Sequence, residues 1–170
     1  EKQGVFDELS AFKVYNQLPM ILVTARGVPD LATRALVAHL SRVLEIAVVA
    51  VADWNPGGVQ VVSTYRWGST QLLEGAQYPV RGLKWLGLLH QDLDLVQPQH
   101  LIALSDTDQA RLSALRASPC LQQPAVQQQL EYMQDRGVRA ELQSLRGGGG
   151  PPDAVSRWLL RKVMRRDWVE

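Results

Sequence analysis

The sequence predicts an α/β fold, an open and mainly parallel sheet flanked by helices, with a helical C-terminal part. Three observations carry this. Residues 47–58 read AVVAVADWNPGG, an unbroken run of small and β-branched apolar residues ending in Asp53. Such a run without alternation is how a strand buried on both faces reads, and Pro56-Gly57-Gly58 ends it sharply. Residues 20–24 (MILVT) are a second run of the same kind. Helical patterns stand before each run and between them, the order that gives a parallel sheet with crossover connections.

Each element follows from local pattern. Val5, Phe6, Leu9 and Phe12 have the spacing of a short amphipathic helix. The segment 25–30 (ARGVPD) is a loop, and Asp30 can cap a helix running to about Glu45. A helix is predicted from Gly58 to Trp67 despite Val59, Val61 and Val62, because the preceding strand needs a crossover. A last strand is placed at residues 81–85, and residues 90–98 are polar and turn-like. Ser105 or Asp106 caps a helix with Leu112 and Leu115; further helices are predicted at 124–136, 138–145 and, after the Gly147–Gly150 break, 153–168. The division expected is a metal-binding core at 1–104 and a helical part at 105–170 packed on it.

Composition excludes some classes. The 170 residues hold 18 Lys plus Arg against 17 Asp plus Glu, so overall charge neither requires nor forbids a nucleic-acid partner. Cys120 is the lone cysteine, which rules out a disulfide framework or a multi-cysteine zinc site. No apolar run approaches the ~20 residues of a membrane span, and no signal peptide is read. The sequence opens on Glu1 rather than Met, and is expected to be a domain of something longer.

Three places could carry chemistry. Asp53 stands at the carboxyl end of a strand, where open α/β sheets build ligand sites, and Asn55, two residues on, could face the same way. If a strand precedes Glu1, that carboxylate would end it as Asp53 ends its own. Two carboxylates so placed repel unless a cation lies between them, and Mg2+ binds through one or two carboxylates plus water and phosphate. The plainer alternatives are turn chemistry for Asp53 and an exposed terminal residue for Glu1. The second place is the loop at Arg26-Gly27, where a helix start can attract phosphate; the alternative is a simple lead into the helix. The third is a set of basic residues beside aromatics: Arg66 with Tyr65 and Trp67, and Arg81 and Lys84 with Trp85. These suit DNA phosphates and base faces, or are ordinary snorkelling side chains. His39, His90 and His100 have no partner at metal-ligand or base–nucleophile spacing.

A series of motifs in order then resembles one family. Glu1-Lys2, with Phe6 following, looks like a glutamate–lysine opening. Arg26-Gly27-Val28-Pro29-Asp30 with Thr33-Arg34 resembles "GKG-x-PD-x-x-TR". Asp53-Trp54-Asn55-Pro56-Gly57-Gly58 looks like "D-x-D/N-P-x-G". Residues 64–69 (TYRWGS) resemble "TYKYGS", 84–88 (KWLGL) "RWLGL", and 139–145 (RAELQSL) "KAEIQAL". Together they resemble the Toprim domain, a Rossmann-like fold, of the topoisomerase VI A-type chain and the meiotic double-strand-break transesterases. Ala25 and Arg26 depart from the family's glycine and lysine, and Asn55 replaces the second acid of the D-x-D pair.

The resemblance implies a Mg2+-dependent transesterification of DNA, in which a tyrosine from an upstream winged-helix domain becomes joined to a 5′ end. It implies Glu1, Asp53 and Asn55 as metal ligands. Position gives Arg26, Arg66 and Lys84 as expected DNA-backbone contacts beside the metal, since Arg26 follows one strand's carboxyl end as Asp53 ends the neighbouring one. The resemblance further implies a homodimer, a topoisomerase VI B-like partner subunit, no membrane, and a meiotic protein of the nucleus. The alternatives are the topoisomerase VI A-type chain proper and a non-catalytic DNA-binding Toprim module. A Toprim nuclease or primase is disfavoured by TYRWGS and KWLGL, and an aspartyl phosphatase by Pro56.

Overall fold

A computed structural model describes residues 2–68 and 78–170. In chain order the elements are α1 (Gln3–Ala11), α2 (Leu31–Leu44), β1 (Val49–Val51), α3 (Pro56–Trp67), β2 (Lys84–Gly87), β3 (Ile102–Ala103), α4 (Asp106–Ala117), α5 (Pro124–Arg136), β4 (Val138–Arg139) and α6 (Ala154–Arg165).

The expected parallel pairing is present. β1 and β2 run parallel, with Val49 opposite Lys84, Ala50 opposite Trp85 and Val51 opposite Gly87. Main-chain bonds from Lys84 to Val48 and from Ala52 to Gly87 extend the ladder past both ends of β1. Helix boundaries follow side-chain chemistry. The Asp30 carboxylate accepts from the Thr33 amide at 2.7 Å, and the Asn55 side-chain oxygen accepts from the Gly58 amide at 2.7 Å. Ser105 and Asp108 form a reciprocal capping box on α4. Valine is a weak helix former, yet Val59, Val61 and Val62 of α3 are all buried, and that burial outweighs propensity.

Three expectations are corrected. Residues 20–24 form no strand. Met20 and Leu22 pack toward the core, but a cavity of about 510 Å3 lies among this segment, Val37, Leu40 and residues 46–52. Among the described residues no main-chain bond joins the segment to β1, so an apolar run stays without a ladder. Residues 138–145 form no single helix. Val138 and Arg139 pair antiparallel with Ala103 and Ile102, and a 3-10 turn covers Leu142–Arg146. The last helix stops at Arg165, since Val169 forms an antiparallel bridge with Trp85.

Trp54, Trp85 and Trp158 are almost wholly buried and tie the sheet to the C-terminal helices in one core. Beside Trp158 lies a buried ion pair. The Lys162 ammonium is 2.8 Å from Asp92, whose other oxygen accepts from the Trp158 indole at 3.1 Å. Gly87 is obligatory here: its φ is +144°, and a Cβ would come within 2.9 Å of Trp158.

Candidate metal and DNA site

The site begins where β1 ends. Ala52 and Asp53 are buried directly after the strand, and the carboxylate of Asp53 is only 1% exposed. Such a carboxylate needs partners, and the chain brings them from two distant places. The Leu142 amide donates to Asp53 Oδ1 at 2.8 Å. That amide is positioned by the bridge between Trp54 and Ala140, in which the Ala140 amide donates to the Trp54 carbonyl at 3.0 Å. The Lys2 ammonium, just ahead of α1, lies 2.8 Å from Asp53 Oδ2 and 3.0 Å from Glu141 Oε2. Partial burial works against the Lys2 charge, but bonding and attraction to Asp53 and Glu141 outweigh it and lift its pKa above the ordinary lysine value.

Gly58 keeps this end compact. A Cβ there would stand 2.2 Å from the Asp53 carbonyl oxygen, so only glycine lets the first turn of α3 approach so closely. Asn55 sits on the same turn with its oxygen engaged as the α3 cap. Arg26 is near the same edge. Its backbone is left-handed (φ 59°), and its Nε donates at 3.1 Å to Gln3, the neighbour of Lys2.

Arg66 and Lys84 are not beside Asp53. Lys84 is opposite Val49, at the start of the parallel pair, whereas Asp53 follows its end. At ~3.3 Å per residue the two edges are separated by roughly 13 Å. α3 runs back from Asn55, so Arg66, in its last turn, is carried away from the Asp53 edge. Lys84 binds Glu170 at 2.8 Å and lies 4.8 Å from the Trp168 ring centroid. Glu170 also attracts Arg66, which stacks at 5.5 Å on Trp67. Parallel strand direction thus separates the three basic residues expected on one DNA surface, with Arg26 toward the carboxyl edge and Arg66 and Lys84 at the amino edge.

Glu1 lies outside the described residues, as does Ser69 of the TYRWGS segment. Among the described residues no group of three or more His, Cys, Asp or Glu side chains is arranged to hold a metal. The donor set nevertheless suits a cation: Asp53 Oδ2 and Glu141 bracket a positive charge, that of Lys2. Glu141 and the Leu142 amide are the site groups that sequence reasoning missed. Their motif, RAELQSL, was visible, but nothing local tied it to Asp53.

Residues 1–163 match the family model for the Toprim domain shared by the topoisomerase 6 A-type chain and Spo11. The chain belongs to this family. Its Toprim domain is similar to Meiotic recombination protein SPO11-2 of Oryza sativa subsp. japonica, 34% identical over 171 residues, covering 99% of this chain and 43% of the relative. It is also similar to Meiotic recombination protein SPO11 of Homo sapiens, 35% identical over 150 residues, 85% of this chain and 38% of the relative. The A-type chain of DNA topoisomerase 6 from Arabidopsis thaliana is 29% identical over 173 residues, 99% of this chain and 40% of the relative. The chain thus spans less than half the length of these curated relatives. No helix among the described residues of the Toprim chain is long and apolar enough to cross a membrane.

Proposed function

We propose that this Toprim domain supplies the Mg2+ half of a DNA-cleaving centre in a nuclear, meiotic double-strand-break protein. One observation carries the reading: a buried carboxylate at a strand's carboxyl end, held through Oδ1 by the Leu142 amide, with Oδ2 facing a positive charge. A carboxylate whose orientation is fixed by the main chain, and whose second oxygen faces a positive charge, suits a metal ion in that position. Asp53 and Glu1 would hold the ion, and Asn55 would lie at its edge while capping α3. When bound, Mg2+ supplies charge stabilisation at a scissile phosphate.

The chain's own residues then have distinct tasks. Leu142 fixes the Asp53 carboxylate, and Gly58 lets α3 close behind it. Arg26, anchored to Gln3, would hold the DNA backbone beside the ion. Arg66 and Lys84, at the opposite edge and beside Glu170, would not contact duplex held there. The attacking tyrosine is assigned to a winged-helix domain outside these 170 residues. Tyr65 is no substitute, since burial, with Asp30 adding to it, pushes its hydroxyl up to about 12. Cutting would then require a homodimer in which one protomer's tyrosine meets the other's metal, with a topoisomerase VI B-like partner. The second reading is the topoisomerase VI A-type chain proper, favoured by the 29% identity to the Arabidopsis relative. A non-catalytic DNA-binding module is the third, kept by the commitment of Asn55 to its cap.

Asp53→Ala in the full-length protein should abolish covalent 5′-phosphotyrosyl DNA while leaving the circular dichroism spectrum unchanged. Adduct formation at the wild-type level would refute the assignment, and a folded variant that binds DNA as before but is inert supports it.

A further inference from the structure

The metal-binding reading leaves Lys2 and Glu141 without a task, and their geometry gives them one. A lysine ammonium is a compact charge on a flexible four-carbon stem with three rotatable donors. Here two of those donors point at two carboxylates of very different character. Asp53 is fixed, 1% exposed and bonded by the Leu142 amide; Glu141 is 28% exposed, as is Lys2. Glu141 is itself steadied, accepting at 2.9 Å from the side-chain amide of Gln143. One cation thus serves two anions, and the ammonium stands against the very oxygen, Asp53 Oδ2, that a metal would need.

We propose that Lys2 is the resident cation of the metal-free protein, and that Glu141 is the seat to which it withdraws when a divalent ion takes Asp53. This rests on the assignment of Asp53 as a metal ligand. Lys2 neutralises the buried carboxylate while no ion is present, which avoids a bare charge in the core. On ion binding the ammonium would be repelled, and Glu141, already 3.0 Å away, keeps it paired by a small rotation of the stem. Glu141 is therefore a positioning residue: it acts on the metal through Lys2 and does not touch the ion.

The device has a signature in a double-mutant cycle. Without Glu141, Lys2 has Asp53 as its remaining carboxylate among these three groups and competes harder with the ion. Without Lys2, the state of Glu141 should no longer matter. Calorimetric Mg2+ titration of the full-length protein, in the absence of DNA, reads this directly. Glu141→Gln should weaken Mg2+ binding about three- to tenfold. Lys2→Met should strengthen it, and Glu141→Gln added to Lys2→Met should change nothing further. Lys2→Gln serves in the cycle if Lys2→Met does not fold. An equal loss from Glu141→Gln in both backgrounds would make Glu141 a direct ligand or a simple field charge and overturn the proposal. No loss in either background overturns it too. Asp53→Ala separates the layers: if it abolishes binding while Glu141→Gln is silent, the metal assignment stands and the Lys2 exchange fails. If Asp53→Ala binds Mg2+ like the wild type, the metal assignment itself fails.

Discussion

Gly58→Ala tests how tightly the end of β1 is held. The added methyl would stand 2.2 Å from the Asp53 carbonyl oxygen and 3.1 Å from the Asp53 nitrogen. The first distance is roughly 1 Å short of van der Waals contact. Both atoms are backbone, so no side chain can swing aside. Relief requires the first turn of α3 to move outward, which stretches the 2.7 Å bond from the Gly58 amide to Asn55. Overpacking of this kind costs about 1–3 kcal/mol, and a weakened cap adds about 1 kcal/mol. The total, about 2–4 kcal/mol, is a large part of a typical domain's stability. With a urea dependence of about 2 kcal/mol per molar, the unfolding midpoint should fall by about 1–2 M. Tryptophan emission reports it, since Trp54, next to the affected turn, and Trp85, in β2, are both buried. Two controls isolate the cause. Gly57→Ala meets a movable side-chain oxygen of Asn55 at 3.1 Å and should cost less, while Gly4→Ala meets nothing within 4 Å and should not destabilise α1. A Gly58→Ala midpoint within about 0.3 M of wild type, roughly 0.6 kcal/mol at that slope, would refute the argument.

Lys162→Met should cost about 3–5 kcal/mol, because it strands the buried Asp92 carboxylate; adding Asp92→Asn should recover part of the loss, and a single-variant cost under about 1 kcal/mol in urea titrations would contradict this. Arg26→Ala should reduce the log–log salt slope of duplex binding by about 0.9, the share of one phosphate contact, while Lys84→Ala, engaged with Glu170, should leave it unchanged. The reverse pattern, measured by fluorescence anisotropy across salt concentrations, would place the DNA at the amino edge.

What could be read from the sequence was local. Asp30 and Ser105 mark helix starts because a short polar side chain bonds an amide three residues on; Asn55 caps α3 in the same way, although the sequence pattern alone predicts that helix only from Gly58. Pro124 and Gly137 bracket α5 by backbone preference alone. The apolar run before Asp53 announced β1, although its strand residues are only half-buried and fewer are paired than are apolar. Residues 20–24 are an apolar run like that of β1 and still form no strand, since a strand is a property of two segments. Residues 138–145 looked helical because the pattern does not reveal that Val138 faces Ala103. Asp53 was legible as a candidate site residue, but the Leu142 amide that bonds it and the Glu141 that shares Lys2 with it were not. The placement of Lys84 followed from the expected strand at residues 81–85, which put it near a carboxyl end; the strand is Lys84–Gly87, and Lys84 begins it.

The bond between the Leu142 amide and Asp53 also sets a timetable. The two residues are 89 positions apart, so during synthesis at ~5–20 residues per second Asp53 leaves the ribosome roughly 4–18 s before its partner is made. α1, α2 and β1 can form in that interval, but the carboxylate stays unoriented until residues 138–142 dock against Trp54. A nascent chain carrying only the first two-thirds of these residues would hold the acid without the amide that aims it. Translation itself thus delays assembly of the cation site until most of the domain is present to enclose it.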